Sequence, residues 1–157
     1  MTRKVCITAV DGHTGYTIAE LLLTDNQFSK KLDSVTGLSL KPHDAVCKEL
    51  TKLGVKIVPH KPGKMRDMVN TLKHAEVDTL CLIPPAHKDK YDITVELIEA
   101  AKKANIPNIL FMSSVGCDLA DKKKQPRLRE FVELESLFLS TKGDSSTSTG
   151  QSPVVIR

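Results

Sequence analysis

The chain has 157 residues, of which 40% are hydrophobic and 27% charged, with a formal net charge of +4. That length allows one domain with a real hydrophobic core, and the composition excludes a disordered tail, a fibre or a collagen-like repeat. Apolar runs such as Leu80-Cys81-Leu82-Ile83 stay far below the roughly 18 residues of a membrane span, and Met1 to Cys6 reads as the start of a strand rather than a signal peptide. Cytoplasm or nucleus is the expected location.

The charge, 23 basic against 19 acidic side chains, is too mild to imply direct DNA binding, although it does not oppose an anionic ligand. Cys6, Cys47, Cys81 and Cys117 show no C-x-x-C spacing. Cys6 and Cys81 sit in strand-like runs and read as small core side chains rather than a disulfide or metal framework. The histidines at 13, 43, 60, 74 and 87 have no metal-ligand spacing, so no metal site is expected.

Strand and helix patterns alternate along the chain. Val5 to Val10 reads as a buried strand, and Gly15 to Thr24 as a helix with Ile18, Leu21, Leu22 and Leu23 on a broad face. Ser34 to Leu40 is a second strand. His43 to Leu53 is a helix ending at Gly54, and Val55 to Val58 a third strand stopped by Pro59. Met65, Met68, Val69 and Leu72 place a helix over Lys64 to His74. Thr79 to Ile83 is a fourth strand closed by Pro84-Pro85, and a long helix follows with Ile93, Leu97, Ile98 and Ala101 on one side. Ile109 to Met112 is a fifth strand running into Ser113-Ser114. Phe131, Leu134, Leu137 and Phe138 mark another helix, and Pro153 to Ile156 a sixth strand.

Helical crossovers between successive strands imply a parallel sheet covered on both faces. The expectation is an α/β, doubly wound, Rossmann-like domain of six strands over residues 1–157. Two stretches break the rhythm. Asp121-Lys122-Lys123-Lys124 reads as a solvated loop, or less simply as an anion or partner patch. Gly143 to Ser152 reads as a flexible connection. A domain ending on a strand leaves that strand poorly covered, which suggests a truncated chain or one part of a larger protein.

The most informative stretch is Ala9-Val10-Asp11-Gly12-His13-Thr14-Gly15, between the first strand and first helix. Glycines there let the backbone approach a pyrophosphate, and a helix N-terminus offers free N–H groups and a positive dipole end. Ala9 takes the place of the first glycine; Gly12 and Gly15 are present. A plain turn is the competing reading. At the end of the second strand, where an acid would favour NAD, the chain reads Leu38-Ser39-Leu40-Lys41-Pro42. With Lys41 as the charged candidate and His43 beside it, the balance tilts to NADP, unless Lys41 is simply a solvated loop residue.

The stretches Thr8 to Gly15, Leu53 to Val58, Leu82 to Pro85 and Leu97 to Gly116 resemble the NmrA-like proteins, atypical members of the short-chain dehydrogenase superfamily. The resemblance covers almost the whole chain and is shared with isoflavone-reductase-like enzymes. It implies a Rossmann domain whose smaller C-terminal substrate domain is absent here, since the sixth strand would continue beyond Arg157. It implies a loop Ala9 to Thr14 facing the pyrophosphate, with Leu40 and Lys41 by the adenosine phosphate. His60 and Lys61 would lie near adenine, Ile83, Pro84 and Pro85 beside the ribose, and Ser113 and Ser114 at the place of a catalytic serine.

The chain departs from active short-chain dehydrogenases in lacking the Tyr-x-x-x-Lys dyad, and Phe131 stands where many NmrA-like proteins have a cofactor-contacting lysine. Hydride transfer to a carbonyl commonly uses such a Tyr as proton donor. Neither Tyr16 nor Tyr91 has Lys four residues on, and Tyr16 reads as a packing residue of the first helix. Serines 113 and 114 read as loop hydroxyls or as catalytic groups. The leading expectation is an NADP-binding protein, with NAD the alternative, that senses redox state and contacts a protein partner such as a transcription factor, as the resemblance to a negative regulator implies. The alternatives are an NADPH-dependent reductase of a quinone, enone or imine, and an inactive fragment.

Overall fold

The computed structural model describes residues 1–142 and 152–157. Six strands carry the domain: β1 (Arg3–Ile7), β2 (Leu32–Ser39), β3 (Lys56–Pro59), β4 (Thr79–Leu82), β5 (Asn108–Met112) and β6 (Ser152–Ile156). Between them lie α1 (His13–Thr24), a four-residue α2 (Asn26–Ser29), α3 (Ala45–Leu53), α4 (Met65–His74), α5 (Lys90–Lys103) and α6 (Pro126–Leu139). The strands form one sheet in the order β3-β2-β1-β4-β5-β6, and every pairing is parallel. This is the doubly wound Rossmann-like arrangement, whose strand order reverses direction between β1 and β4.

Period-two alternation feeds two cores. Cys6, Leu38, Leu80, Leu82, Ile109 and Phe111 turn to one face, where they meet Met68, Leu72, Leu97, Leu134 and Phe138 of α4, α5 and α6. Val5, Ile7, Val35 and Cys81 turn to the other, against Ala19 of α1 and Leu50 of α3. Phe111 and Phe138 stack with centroids 5.3 Å apart. Strands buried on both faces read as nearly continuous apolar runs, so β1 and β4 stand out in the sequence. All four cysteines are free and buried; burial pushes Cys81 up to about 11 and raises Cys6 further, which leaves both thiols protonated and inert.

The helix ends follow local chemistry. Gly54 closes α3 at φ 106°, with its N–H on Leu50 and Thr51 carbonyls. Val10 and Ile83, expected as strand ends, lie just beyond β1 and β4, because each chain must there leave the sheet to open the crevice. The short α2 went unforeseen: four residues carry no periodic pattern, and its start is an Asp25 cap accepting the Gln27 N–H at 2.7 Å.

The sixth strand is poorly covered, as its sequence suggests. Val155 packs toward α6, while Val154 and Ile156 are 52% and 44% exposed on the opposite face. The Ser152 N–H and the Ile156 carbonyl bond inward to Pro107 and Ser113. By alternation Pro153 therefore faces the free edge, where its missing N–H blunts pairing with another strand. Lys122, Lys123 and Lys124 are exposed, and the Asp121 carboxylate accepts the N–H groups of Lys123 and Lys124 at 2.8 and 2.9 Å, so the basic run is a solvated turn. The connection read as flexible over Gly143 to Ser152 lies, Ser152 apart, outside the described residues. No described helix is long and apolar enough to cross a membrane.

Candidate functional site

The crevice forms where β1 and β4 part. The Thr8 side chain, fully buried, spans it: its hydroxyl donates to the Ile83 carbonyl at 2.8 Å and accepts the Ile83 N–H at 2.7 Å. Past this clamp Ala9 takes a left-handed conformation, φ 46°, a region that suits glycine. The Gly12 N–H bonds back to the Ala9 carbonyl at 3.0 Å, closing the turn.

Helix α1 begins at once. Its first closing bond runs from the Tyr16 N–H to the Gly12 carbonyl at 2.9 Å, so the N–H groups of His13, Thr14 and Gly15 point out of the helix end. No side chain caps this end, and its first turn holds no acidic residue. A Cβ on Gly15 would lie 2.4 Å from the Ala9 carbonyl oxygen and 2.7 Å from Val10 Cα, so only glycine lets the helix start this close to the strand end. A Cβ on Gly12 would meet the same oxygen at 3.2 Å. An uncapped helix start with a positive dipole end is suited to an anion.

The second wall comes from the β2–α3 connection. Ser39 Oγ accepts the Lys41 N–H at 2.8 Å, and the Asp44 N–H returns to the Lys41 carbonyl at 3.1 Å. The exposed Lys41 makes no ion pair among the described residues. Ala9, Asp11 and Gly12 thus share a cleft of about 310 Å3 with Leu40, Lys41 and Asp44. His60 from the end of β3 and Pro85, Ala86 and His87 after β4 complete it.

Several expected residues therefore converge, and others do not. His13 opens on an adjoining hollow with Tyr16 and Glu49, while Thr14 and Gly15 contribute through the backbone of the first turn. Lys61 lines a separate small depression with Lys64 and Asp67. Ile83, Pro84, Ser113 and Ser114 do not line the cleft. Asp44, Ala86 and His87 do, unforeseen. Asp44 was expected inside a helix starting at His43, but α3 starts at Ala45 and leaves Asp44 as the residue that precedes it. Its carboxylate matters because it suits a ribose hydroxyl, whereas Lys41 suits a phosphate.

His60 is 6% exposed, with its backbone N–H on the Ser39 carbonyl at 2.8 Å. Burial holds its ring below the ordinary imidazole pKa, against an opposing pull from Glu96. Tyr16, half-buried against the α1 core, has its hydroxyl pKa raised by desolvation and by Glu20 and Glu49, which makes it a poor acid.

Beyond β5 a polar cluster is already satisfied. The Ser113 hydroxyl donates to Glu135, as does the Cys117 thiol at 3.4 Å. Arg157 grips the same carboxylate through Nε at 2.9 Å and Nη2 at 2.7 Å, and reaches Asp118 at 3.1 Å. Hydrogen bonding from Arg157, more than that from Ser113, holds Glu135 below the usual carboxylate range. The donor of Ser113 is therefore spent inside the protein. Phe131 lies beneath the Lys90 ammonium, 4.3 Å from its ring centre, and that ammonium is bound to the Arg127 carbonyl at 2.6 Å and to Glu130 at 3.1 Å.

The fold and crevice together define a Rossmann-like architecture. Known structures share it. The chain superimposes on an NADPH-dependent quinone oxidoreductase of Escherichia coli, solved with NADPH, at a TM-score of 0.73 and 19% identity, over 96% of this chain and 47% of that one. Triphenylmethane reductase from Citrobacter sp., complexed with NADP(H), matches at 0.69 and 15% identity over 87% and 45%. The Bordetella bronchiseptica enzyme WbmH, in complex with NAD+, matches at 0.69 and 17% identity over 100% and 56%. At these identities the likeness is one of fold, and the chain spans about half the length of the structures it matches. No family model and no curated protein matches the sequence.

Proposed function

We propose that this chain is an NADP(H)-binding domain of the NmrA-like type, with NAD as the alternative cofactor, and that it works as a redox-sensing binding protein. The observation that carries the binding is the uncapped start of α1, open to a cleft that Lys41 also lines. The fit is tested by the cradle itself: side chains at Gly12 and Gly15 would crowd the Ala9 carbonyl, so the two glycines hold the start of α1 close against the end of β1, the tight strand–turn–helix that a pyrophosphate site would use. The N–H groups of His13 and Thr14 would receive its oxygens, and Lys41 would neutralise a 2′-phosphate. Asp44 would accept a ribose hydroxyl. The cofactor, when bound, supplies a hydride donor or acceptor.

Binding without turnover is supported by what surrounds the β4–β5 side. The Ser113 hydroxyl is turned to Glu135, Lys90 is held by its three neighbours, and neither tyrosine carries a lysine one turn on. A regulatory partner would find an exposed apolar surface in Val154 and Ile156.

A second reading, an NADPH-dependent reductase of a quinone, enone or imine, is favoured by the quinone oxidoreductase and triphenylmethane reductase among the structural neighbours. Such electrophiles demand little from a protein acid. Following NADPH oxidation by the 157-residue chain against one quinone, one enone and one imine separates the two. Saturable NADPH binding without oxidation is the expected result. Turnover above the buffer rate gives the case to the reductase, and absence of binding defeats both.

A further inference from the structure

Among the described residues that line the cleft, Lys41 is the one lysine or arginine. It sits in an exposed connection, yet both of its backbone polar groups are fastened by enclosed side chains. Ser39, the fully buried last residue of β2, accepts the Lys41 N–H on its hydroxyl oxygen at 2.8 Å. Cys47, buried in the first turn of α3, donates its thiol proton to the Lys41 carbonyl at 3.5 Å, where the Asp44 N–H also arrives at 3.1 Å. Both anchors are held in turn. The Ser39 carbonyl accepts the His60 N–H at 2.8 Å, and the Cys47 carbonyl accepts the Thr51 hydroxyl at 2.8 Å. Burial raises the Cys47 thiol pKa, against an opposing pull from the Ser39 hydroxyl, so at pH 7 the thiol keeps the proton it donates. Pro42, next in the chain, confines the Lys41 backbone to extended conformations.

Resting on the nucleotide reading above, we infer that Ser39 and Cys47 are positioning residues for the choice of NADP over NAD, holding the backbone of Lys41 so that its ammonium is presented to the cleft. A lysine stem is long and rich in rotamers, and an anion that captures it must order both stem and backbone. Fastening the backbone beforehand removes that part of the cost, which is the general gain from preorganisation. The two dinucleotides differ only in the 2′-phosphate. Loosening Lys41 therefore weakens NADP alone and leaves NAD as it was. The ribose contact that both would share does not hang on Ser39, because Asp44 is tied into α3, its carbonyl accepting the Lys48 N–H at 3.2 Å. Turn stabilisation alone predicts something else: a looser Lys41 turn would then weaken both dinucleotides alike.

The test is calorimetric titration of the 157-residue chain with NADP+ and NAD+, read as the ratio of their affinities. Ser39→Ala removes the acceptor of the Lys41 N–H and should lower the NADP-over-NAD ratio about fivefold, the worth of one hydrogen bond, at unchanged NAD affinity. Cys47→Ala should lower the ratio by less, about threefold, because a thiol is a weak donor and Asp44 still holds the carbonyl. Cys47→Ser restores a donor and should restore the ratio. Partial unfolding of any variant weakens both ligands together, so the ratio is its own control. A loss shared equally by NADP+ and NAD+ overturns the inference and assigns the pair to the turn alone. So does an unchanged ratio in both alanine variants, or a Cys47→Ser variant no better than Cys47→Ala; each leaves the nucleotide reading standing. A wild type that binds neither dinucleotide, or binds both equally, overturns that reading, and the inference falls with it.

Discussion

Replacing Gly15 with alanine sets two effects of opposite sign against each other. In a helix, alanine is favoured over glycine by about 1 kcal/mol, so propensity alone forecasts a more stable protein. Geometry forecasts the reverse, because the new Cβ would sit 2.4 Å from the Ala9 carbonyl oxygen, 2.7 Å from Val10 Cα and 3.0 Å from the Ala9 carbonyl carbon. All three are backbone atoms, so no side chain can rotate away, and either the turn or the start of α1 must move. Overpacking of this kind costs about 1–3 kcal/mol, with backbone displacement at the upper end. Net destabilisation of about 2 kcal/mol is expected once the propensity gain is subtracted. For a chain of this size that lowers the melting temperature by about 4–8 °C. Urea unfolding followed by circular dichroism should show a lower midpoint at unchanged slope. A midpoint equal to or above wild type would refute the close approach of helix and turn.

Three further outcomes follow from the same geometry. Ala9→Gly should be neutral to stabilising by about 1 kcal/mol in the same urea assay, because relief of a left-handed alanine outweighs the added chain entropy; a loss of that size would mean the turn does not need φ 46°. Glu135→Ala strands Ser113, Cys117 and Arg157, but the Arg157 side chain is 41% exposed and reaches water. The cost is therefore about 2 kcal/mol rather than the larger loss of a fully buried pair, read as an earlier thermal transition. Both His60 and Glu135 have folded pKa values below their unfolded ones, so each binds protons more readily unfolded and each makes stability fall with falling pH. The His60 contribution fades as pH drops below about 6.5, and that of Glu135 as it drops below about 4.3 toward its folded value. Melting temperatures across pH should fall in two stages, with His60→Gln removing the upper and Glu135→Gln the lower; a flat profile above pH 5 would contradict the burial of His60.

The sheet and its main helices were legible because each rests on a pattern the chain displays locally. Val5 to Ile7 and Leu80 to Leu82 are apolar on successive residues, as strands between two helical layers must be, and Met68 and Leu72 recur at one helical turn. Most of the residues lining the cleft were legible for the same reason: Gly12, Lys41 and Pro85 stand at fixed distances from strand ends. What escaped depends on contacts between distant segments. Asp44 and His87 reach the cleft because two connections meet above β1. Glu96 reaches the Gly63 N–H, in the loop after β3, only once α5 packs against α4, and Ser113 turns inward because α6 brings Glu135 within hydrogen-bond reach. Thr8 looked like one more strand residue, yet its hydroxyl fastens the two strands whose divergence makes the crevice.

The most direct test of the account is a thermal-shift titration of the 157-residue chain with NADP+, NADPH, NAD+ and NADH, repeated with Lys41→Ala. A ligand bound to the native state raises the transition by mass action, by about 2.7 kcal/mol at a hundredfold excess over Kd. The account predicts a cooperative transition that rises most with the NADP pair, and a preference that shrinks when Lys41 is removed. A cooperative transition that none of the four moves would contradict it, leaving the uncapped start of α1 as a plain turn.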